Sequence, residues 1–377
     1  MKPYSIRLSQ PLIDKQALVE AIAGLDPEHF TTGGPSVGSF EFDLKGLLGT
    51  EFKVVGLNSG TSAIHLGLSL LGVERGDEVL IQSHTYVASV SPVLYLGATP
   101  VFVDSEATSW NLCPRQLKSA ILDRVRKGRK PKAILAVHMY GSPYDHQGLK
   151  EVASEFDIPI LEDAAEALGS SYKGIPCGTM GDLAVFSFNG NKVITSTSGG
   201  ALICRSAAQE ERARFLATHS RDNLPYYQHS ELGFNYGMSG LCAELGSLQL
   251  RTLSQQIALR EAINAKYASA FNDESGIFVF SPGSEMVWNH WLSCVLIDPE
   301  QSGFTAEQLR ERLAEHGIEA RRLWKPMHTQ PLFKDCAYYG ERISETFFDR
   351  GLCLPSGAIL TDEQQAKVVH LVKTMNN

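Results

Sequence analysis

The sequence predicts an α/β protein: a large domain on a mostly parallel, mixed central sheet, followed by a smaller C-terminal α/β domain. Three observations predict it. Short, almost wholly apolar runs recur between about residues 50 and 205, helix-like or loop segments separate them, and 377 residues are too many for one ordinary core.

The runs are Val54–Leu57, Val79–Ile81, Val101–Val103, Ala133–Val137, Ile158–Leu161 and Ala184–Phe188. Continuous rather than alternating apolar character suits strands covered on both faces. Alternation with helices suits a mostly parallel sheet. Ligands on such sheets sit beyond the carboxyl ends of the strands, so the loops after these runs are where chemistry is expected. Thr61–Leu71 reads as a helix with Ile64, Leu68 and Leu71 on one face and Gly72 placed to end it. A long helical pattern from about Gly240 to Phe271 leads away from the large domain, which we place at residues 1–250, with the small domain at 251–377. In the latter, Thr305 with Gln308 and Thr361 with Gln364 have the spacing of capping boxes. Between His219 and Met238 lies a polar, aromatic stretch too long for a plain connection, which marks it as functional.

Composition narrows the function. Hydrophobic residues at 43% and charged residues at 20% are ordinary for a globular protein, and a formal charge of −8 argues against nucleic acid or an anionic membrane held by bulk charge. The seven cysteines are scattered, odd in number and form no CxxC pair, which predicts reduced thiols of a cytoplasmic protein. The first residues lack the apolar core of a signal peptide, and no stretch has the length of a membrane span.

Four stretches fit one cofactor, pyridoxal phosphate (PLP). In LEDAAEALGS (161–170), Asp163 falls just past a strand end, where an acid can keep a pyridine nitrogen protonated, with Glu166 close by. A plain helix cap is the structural alternative for Asp163. In GDLAVFSFNGNKVITSTSGG (181–200), Lys192 follows a strand by a few residues, as a lysine that bonds covalently to a carbonyl cofactor must, although a lone lysine is far more often a surface residue. Ser187 is placed to serve a phosphate or a turn. In GLNSGTSAIHLGL (56–68), Gly60, Thr61 and Ser62 open a helix whose free N–H groups suit a phosphate, and the pattern is neither GxGxxG nor Walker A. In QSHTYVASVSPVLYLGATPVFVDS (82–105), Tyr86 follows a strand and is placed to stack on a flat ring or to fill a half-buried core position. Each signal is ordinary alone; their order and spacing together match fold type I PLP enzymes.

The chain resembles the DegT/StrS-type sugar-nucleotide aminotransferases over nearly its whole length, from TTGGPSVGSFE near residue 31 through SGTSAIHL, EDAAEALGS, FSFNGNK and LGFNYGMS to RRLWKPMHTQPLF and RGLCLPSG. FSFNGNK with LWKPMH is most similar to the branch acting on UDP-linked 4-keto-6-deoxy sugars. The resemblance implies that Lys192 bonds to PLP and moves the proton, and that Asp163 pairs with the pyridine nitrogen. It places Glu166 near the ring hydroxyl, Thr61, Ser62 and Ser187 on the phosphate, and Tyr86 on the ring. Asn235 would reach the phosphate of the neighbouring subunit, making a homodimer with shared active sites. His229, His328 and the Gly33–Gly34 turn would lie near the nucleotide sugar. L-Glutamate is the implied amino donor, and surface polysaccharide or glycan biosynthesis the implied setting. Gly237 stands where the family commonly has arginine, Arg322 where the branch usually has proline, and Ser198 begins the glycine run after Lys192. A same-family dehydratase characteristically has histidine at the lysine position, so Lys192 argues against one. A regulator that binds PLP or a nucleotide sugar without turnover is the alternative from another class.

Overall fold

A computed structural model describes residues 4–376. All six apolar runs form strands of one eight-stranded sheet, in the order Lys53–Leu57, Gly200–Cys204, Leu183–Ser187, Ile160–Asp163, Ala133–Val137, Glu78–Gln82, Thr99–Val103 and Tyr338–Tyr339. Within this sheet only Gly200–Cys204 runs against its neighbours, pairing antiparallel on both sides. Every other adjacent pair is parallel. Leu80, Ile81, Leu135 and Val185 are fully buried, as strands covered on both faces require.

The helix read at Thr61–Leu71 spans Gly60–Leu70, capped by Ser59, whose side chain accepts from the Ser62 amide. Gly72 follows at φ +74°, the left-handed conformation that ends a helix. The single helical pattern from Gly240 to Phe271 is two helices, Gly240–Arg251 and Leu253–Phe271, with Thr252 at the break. Both expected capping boxes form, at Thr305 with Gln308 and at Thr361 with Gln364.

The C-terminal part has its own antiparallel sheet, in the order Ile277–Val279, Ser293–Ile297, Gly351–Leu354 and Arg321–Arg322. Its core includes Ile263, Tyr267, Ile297, Leu309 and Val368. The chain does not divide cleanly at residue 250. Ile6 joins the second core, Trp291, Leu323, Phe333 and Phe347 join the first, and Tyr338–Tyr339 extends the large sheet. The walls over the strand ends therefore come from both parts. Among the described residues no helix is long and apolar enough to cross a membrane.

Candidate active site

Beyond the carboxyl ends of the parallel strands lies a cavity of about 530 Å³. The large domain lines it with Ser59–Thr61, Thr85–Ser89, Asp163, Glu166, Ser187 and Lys192, and the C-terminal part adds Trp291, Arg321 and Trp324.

Asp163 ends its strand and is 2% exposed. One carboxylate oxygen accepts from Ser89 Oγ at 2.7 Å and the other from the Ala165 amide at 3.1 Å. Burial pushes its carboxyl up, against the opposing pull of the Ser89 hydroxyl, the Ala165 amide and the more distant charge of Lys192. It is a buried acid whose direct partners are neutral.

Lys192 stands in the loop after Leu183–Ser187, with its side chain 14% exposed. Its Nζ donates to Glu166 Oε1 at 3.3 Å and lies 4.4 Å from the centre of the Trp291 ring. The Trp291 indole N–H donates to the Asn191 carbonyl at 2.7 Å, tying the ring to the same loop. The other Glu166 oxygen accepts from the Tyr140 amide at 2.8 Å. Burial pushes Glu166 up, and the charge of Lys192 and the Tyr140 amide pull it back.

The start of helix Gly60–Leu70 faces the cavity through Ser59, Gly60 and Thr61. A Cβ at Gly60 would stand 2.9 Å from Ser187 Cβ, and one at Gly200 would stand 2.4 Å from the Ser59 carbonyl. Both glycines let three backbone segments converge where a phosphate would be cradled. Ser62 is placed differently: its amide is taken by the Ser59 cap and its hydroxyl donates to Asn58 Oδ1 at 2.6 Å. It does not line the cavity: its amide serves the cap and its hydroxyl the Asn58 side chain. Tyr86, 50% exposed, lies at the rim with its ring centre 5.0 Å from that of Trp324.

The other expected residues lie elsewhere. His229 and Asn235 line a second, more open cavity of about 870 Å³ that shares no lining residue with the first. His229 Nδ1 bonds to the His219 carbonyl, and the Asn235 carbonyl accepts from Asn58. Gly33, at φ +73°, and Gly34 form the turn into helix Pro35–Leu48. Their neighbour Thr32 lines the second cavity. His328 does not line the first cavity: Nδ1 bonds to Ser83 Oγ at 2.6 Å, Nε2 to Glu345 at 3.2 Å, and the ring stacks on Tyr338. Two of the three departures, Gly237 and Arg322, have local accounts. A Cβ at Gly237 would meet Thr32 at 2.4 Å. Arg322 turns away from the cavity, donates to the Phe348 and Asp349 carbonyls and covers the Phe348 ring.

Sequence reasoning missed Ser89, Trp291, Arg321, Trp324 and Tyr140. Trp324 and Arg321 sit in a motif the resemblance quotes, whereas nothing local marks Trp291 or Tyr140.

One further cluster has metal-ligand chemistry. Ligand atoms of His138, Glu162 and Cys177 lie within 4.8 Å of one another, all buried. Its capacity is already used. His138 Nδ1 accepts from the Tyr144 amide, leaving Nε2–H to donate to Glu162 at 2.8 Å. Glu162 also takes the amides of Gly178, Met180 and Gly181. The cluster pins the 178–181 loop.

The first cavity fits a flat cofactor with a basic ring nitrogen for Asp163, an anionic end for the helix start and a carbonyl for Lys192, the requirements of fold type I PLP enzymes. The chain belongs to the DegT/DnrJ/EryC1/StrS aminotransferase family, whose profile matches residues 11–373. It is a PLP-dependent sugar aminotransferase. It is 41% identical to EpsN of Bacillus subtilis (strain 168), itself assigned as a pyridoxal phosphate-dependent aminotransferase, over 90% of this chain and 87% of that one. It is 34% identical to the GDP-perosamine synthase of Escherichia coli O157:H7, over 85% and 84% of the two chains. Among solved structures, a DegT DnrJ EryC1 StrS aminotransferase from Brucella abortus superposes with a TM-score of 0.88 at 26% identity, over 95% of each chain.

Proposed function

We propose that the enzyme moves an amino group from L-glutamate to C4 of a nucleotide-linked 4-keto-6-deoxy sugar, UDP-linked, for surface polysaccharide or glycan synthesis in the cytoplasm. The observation that carries the site assignment is the Lys192 amine, 3.3 Å from Glu166 in the cavity that also holds Asp163.

In this reading Lys192 bonds covalently to PLP and Asp163 holds the pyridine nitrogen protonated. Glu166 would face the ring hydroxyl, Tyr86 would cover the ring, and Gly60, Thr61 and Ser187 would hold the phosphate, Ser62 being taken up by its own contacts. PLP, when bound, supplies an electron sink for the carbon that loses its proton. With the amino acid in place of Lys192 on the carbonyl, the freed Nζ would hold and move the proton at the α-carbon of the amino acid and, in the reverse half, at the sugar C4. Glu166 keeps Nζ within reach. The enzyme works as a homodimer with shared active sites, in which Asn235 reaches the phosphate of the neighbouring subunit. His229 and the Gly33–Gly34 turn would serve the nucleotide sugar there, which fits with His229 and Asn235 lining a cavity apart from Lys192.

The visible spectrum of the PLP-loaded protein, before and after L-glutamate, tests the reading beside Lys192→Ala. The wild-type band is expected to bleach with glutamate. Lys192→Ala is expected to retain no PLP after borohydride treatment and to lose activity by ~10³-fold or more. A band that glutamate leaves unchanged would point to another donor or to a non-turnover sensor. A panel of UDP-, GDP- and TDP-linked 4-keto sugars then ranks the carriers.

A further inference from the structure

We propose that Tyr140 is a positioning residue: its hydroxyl fixes Trp324 as a wall of the cavity, while its amide and ring hold the Glu166–Lys192 pair. The inference rests on the assignment of Lys192 above.

Tyr140 follows the strand Ala133–Val137 and is 1% exposed. It adopts φ +52° and ψ +24°, the left-handed region that a bulky residue rarely occupies. Such a conformation persists where surrounding contacts over-determine it, and here they do. The amide donates to Glu166 Oε2 at 2.8 Å, leaving Oε1 for Lys192. The phenol oxygen accepts from the Trp324 amide at 2.9 Å. The ring stacks against two indoles, with its centre 6.2 Å from Trp291 at 24° and 6.1 Å from Trp324 at 18°. Trp291 is the ring that meets Lys192 Nζ, and Trp324 lines the cavity beside Tyr86. Tyr140 thus touches the lysine's surroundings from two sides and the C-terminal wall from a third. It lines neither of the two cavities described above. Burial pushes its phenol well above the ordinary range, so the hydroxyl stays neutral.

Tyr140→Phe keeps the ring and the backbone and removes only the acceptor for Trp324. We expect unaltered PLP retention and visible band, kcat within about twofold, and KM for the nucleotide sugar raised about tenfold, the order for a part-buried N–H that loses its acceptor. In a Trp324→Ala background the same substitution should change KM by less than about twofold, because the wall it sets is gone. Tyr140→Leu, which also unstacks Trp291, should weaken PLP retention and shift the band. A Tyr140→Phe protein that loses thermal stability and PLP together, with KM unchanged, would show a merely structural residue and overturn the proposal. So would an equal rise in KM with and without Trp324. Retention of PLP by Lys192→Ala after borohydride would refute the lysine assignment on its own, leaving the KM cycle to decide the link between Tyr140 and Trp324.

Discussion

Glu162 and Asp163 are neighbours on one strand, equally buried, and they face opposite sides of the sheet. Burial alone would push both carboxyls up. For Glu162 it is outweighed by the hydrogen bond from His138 and by the amides of Gly178 and Gly181, and its carboxyl lies below the ordinary range. For Asp163 one hydroxyl, one amide and a distant lysine do not suffice, and its carboxyl stays raised. The difference separates two uses of a buried acid. One is saturated by the protein's own donors and holds a loop; the other is left short of positive charge and fits a cationic ring from outside.

Substitution should break the symmetry sharply. Asp163→Asn is expected to lower amino transfer by ~10³-fold, while the cofactor-free chain melts no lower than wild type, because an ill-compensated buried charge is gone. Steady-state rates and a thermal melt of the same preparation check both halves. Glu162→Gln should do the converse. It removes the charge that several buried donors share, costing about 3 kcal/mol of stability by urea titration, with activity per folded molecule within several-fold of wild type. Equal loss of stability in the two variants would refute the distinction.

Acidity sharpens it further. Asp163 has a raised folded value, so its contribution to the cofactor-free chain falls as pH rises from the ordinary 3.8 toward that value. Glu162 has a depressed one, so its contribution is full above 4.5 and is lost as pH falls through the depressed value. Stability differences between wild type and each variant, measured by urea across acid pH, should therefore slope in opposite directions. The smallest expected effect is that of Ser89→Ala, which removes one hydrogen bond to Asp163 and should cost about tenfold in rate.

Much of this was legible in the chain itself. Unbroken apolar runs such as Ala133–Val137 announced buried parallel strands, and Asp163 and Lys192 could be read from where such runs stop. The reversed strand Gly200–Cys204 escaped notice because the Gly199–Gly200 pair at its start reads equally as a close backbone approach or as a plain loop. Gly200 is needed there because the strand presses on the Ser59 carbonyl. Two-residue strands such as Tyr338–Tyr339 carry no period to detect. Ser62 faced the wrong way in the sequence reading because a serine beside a helix start satisfies a cap and a phosphate equally well on paper. Trp291 and Tyr140 act through partners distant in sequence, Lys192 and Trp324 among them, and no local pattern encodes such meetings.

The Tyr338–Tyr339 strand also bears on how the protein is made. It pairs with Phe102 and Val103 at the outer margin of the large sheet, and the helix Pro114–Arg126 packs against it. On the ribosome, the Thr99–Val103 strand would emerge with that margin bare and wait for a partner more than roughly 200 residues downstream, on the order of 10–45 s of translation. An open strand margin is a template for pairing with the wrong chain. Yield of soluble protein should thus depend on synthesis of the last forty or so residues more than their distance from Lys192 suggests, and a chain cut before residue 338 is expected to aggregate even with every lysine-side residue present.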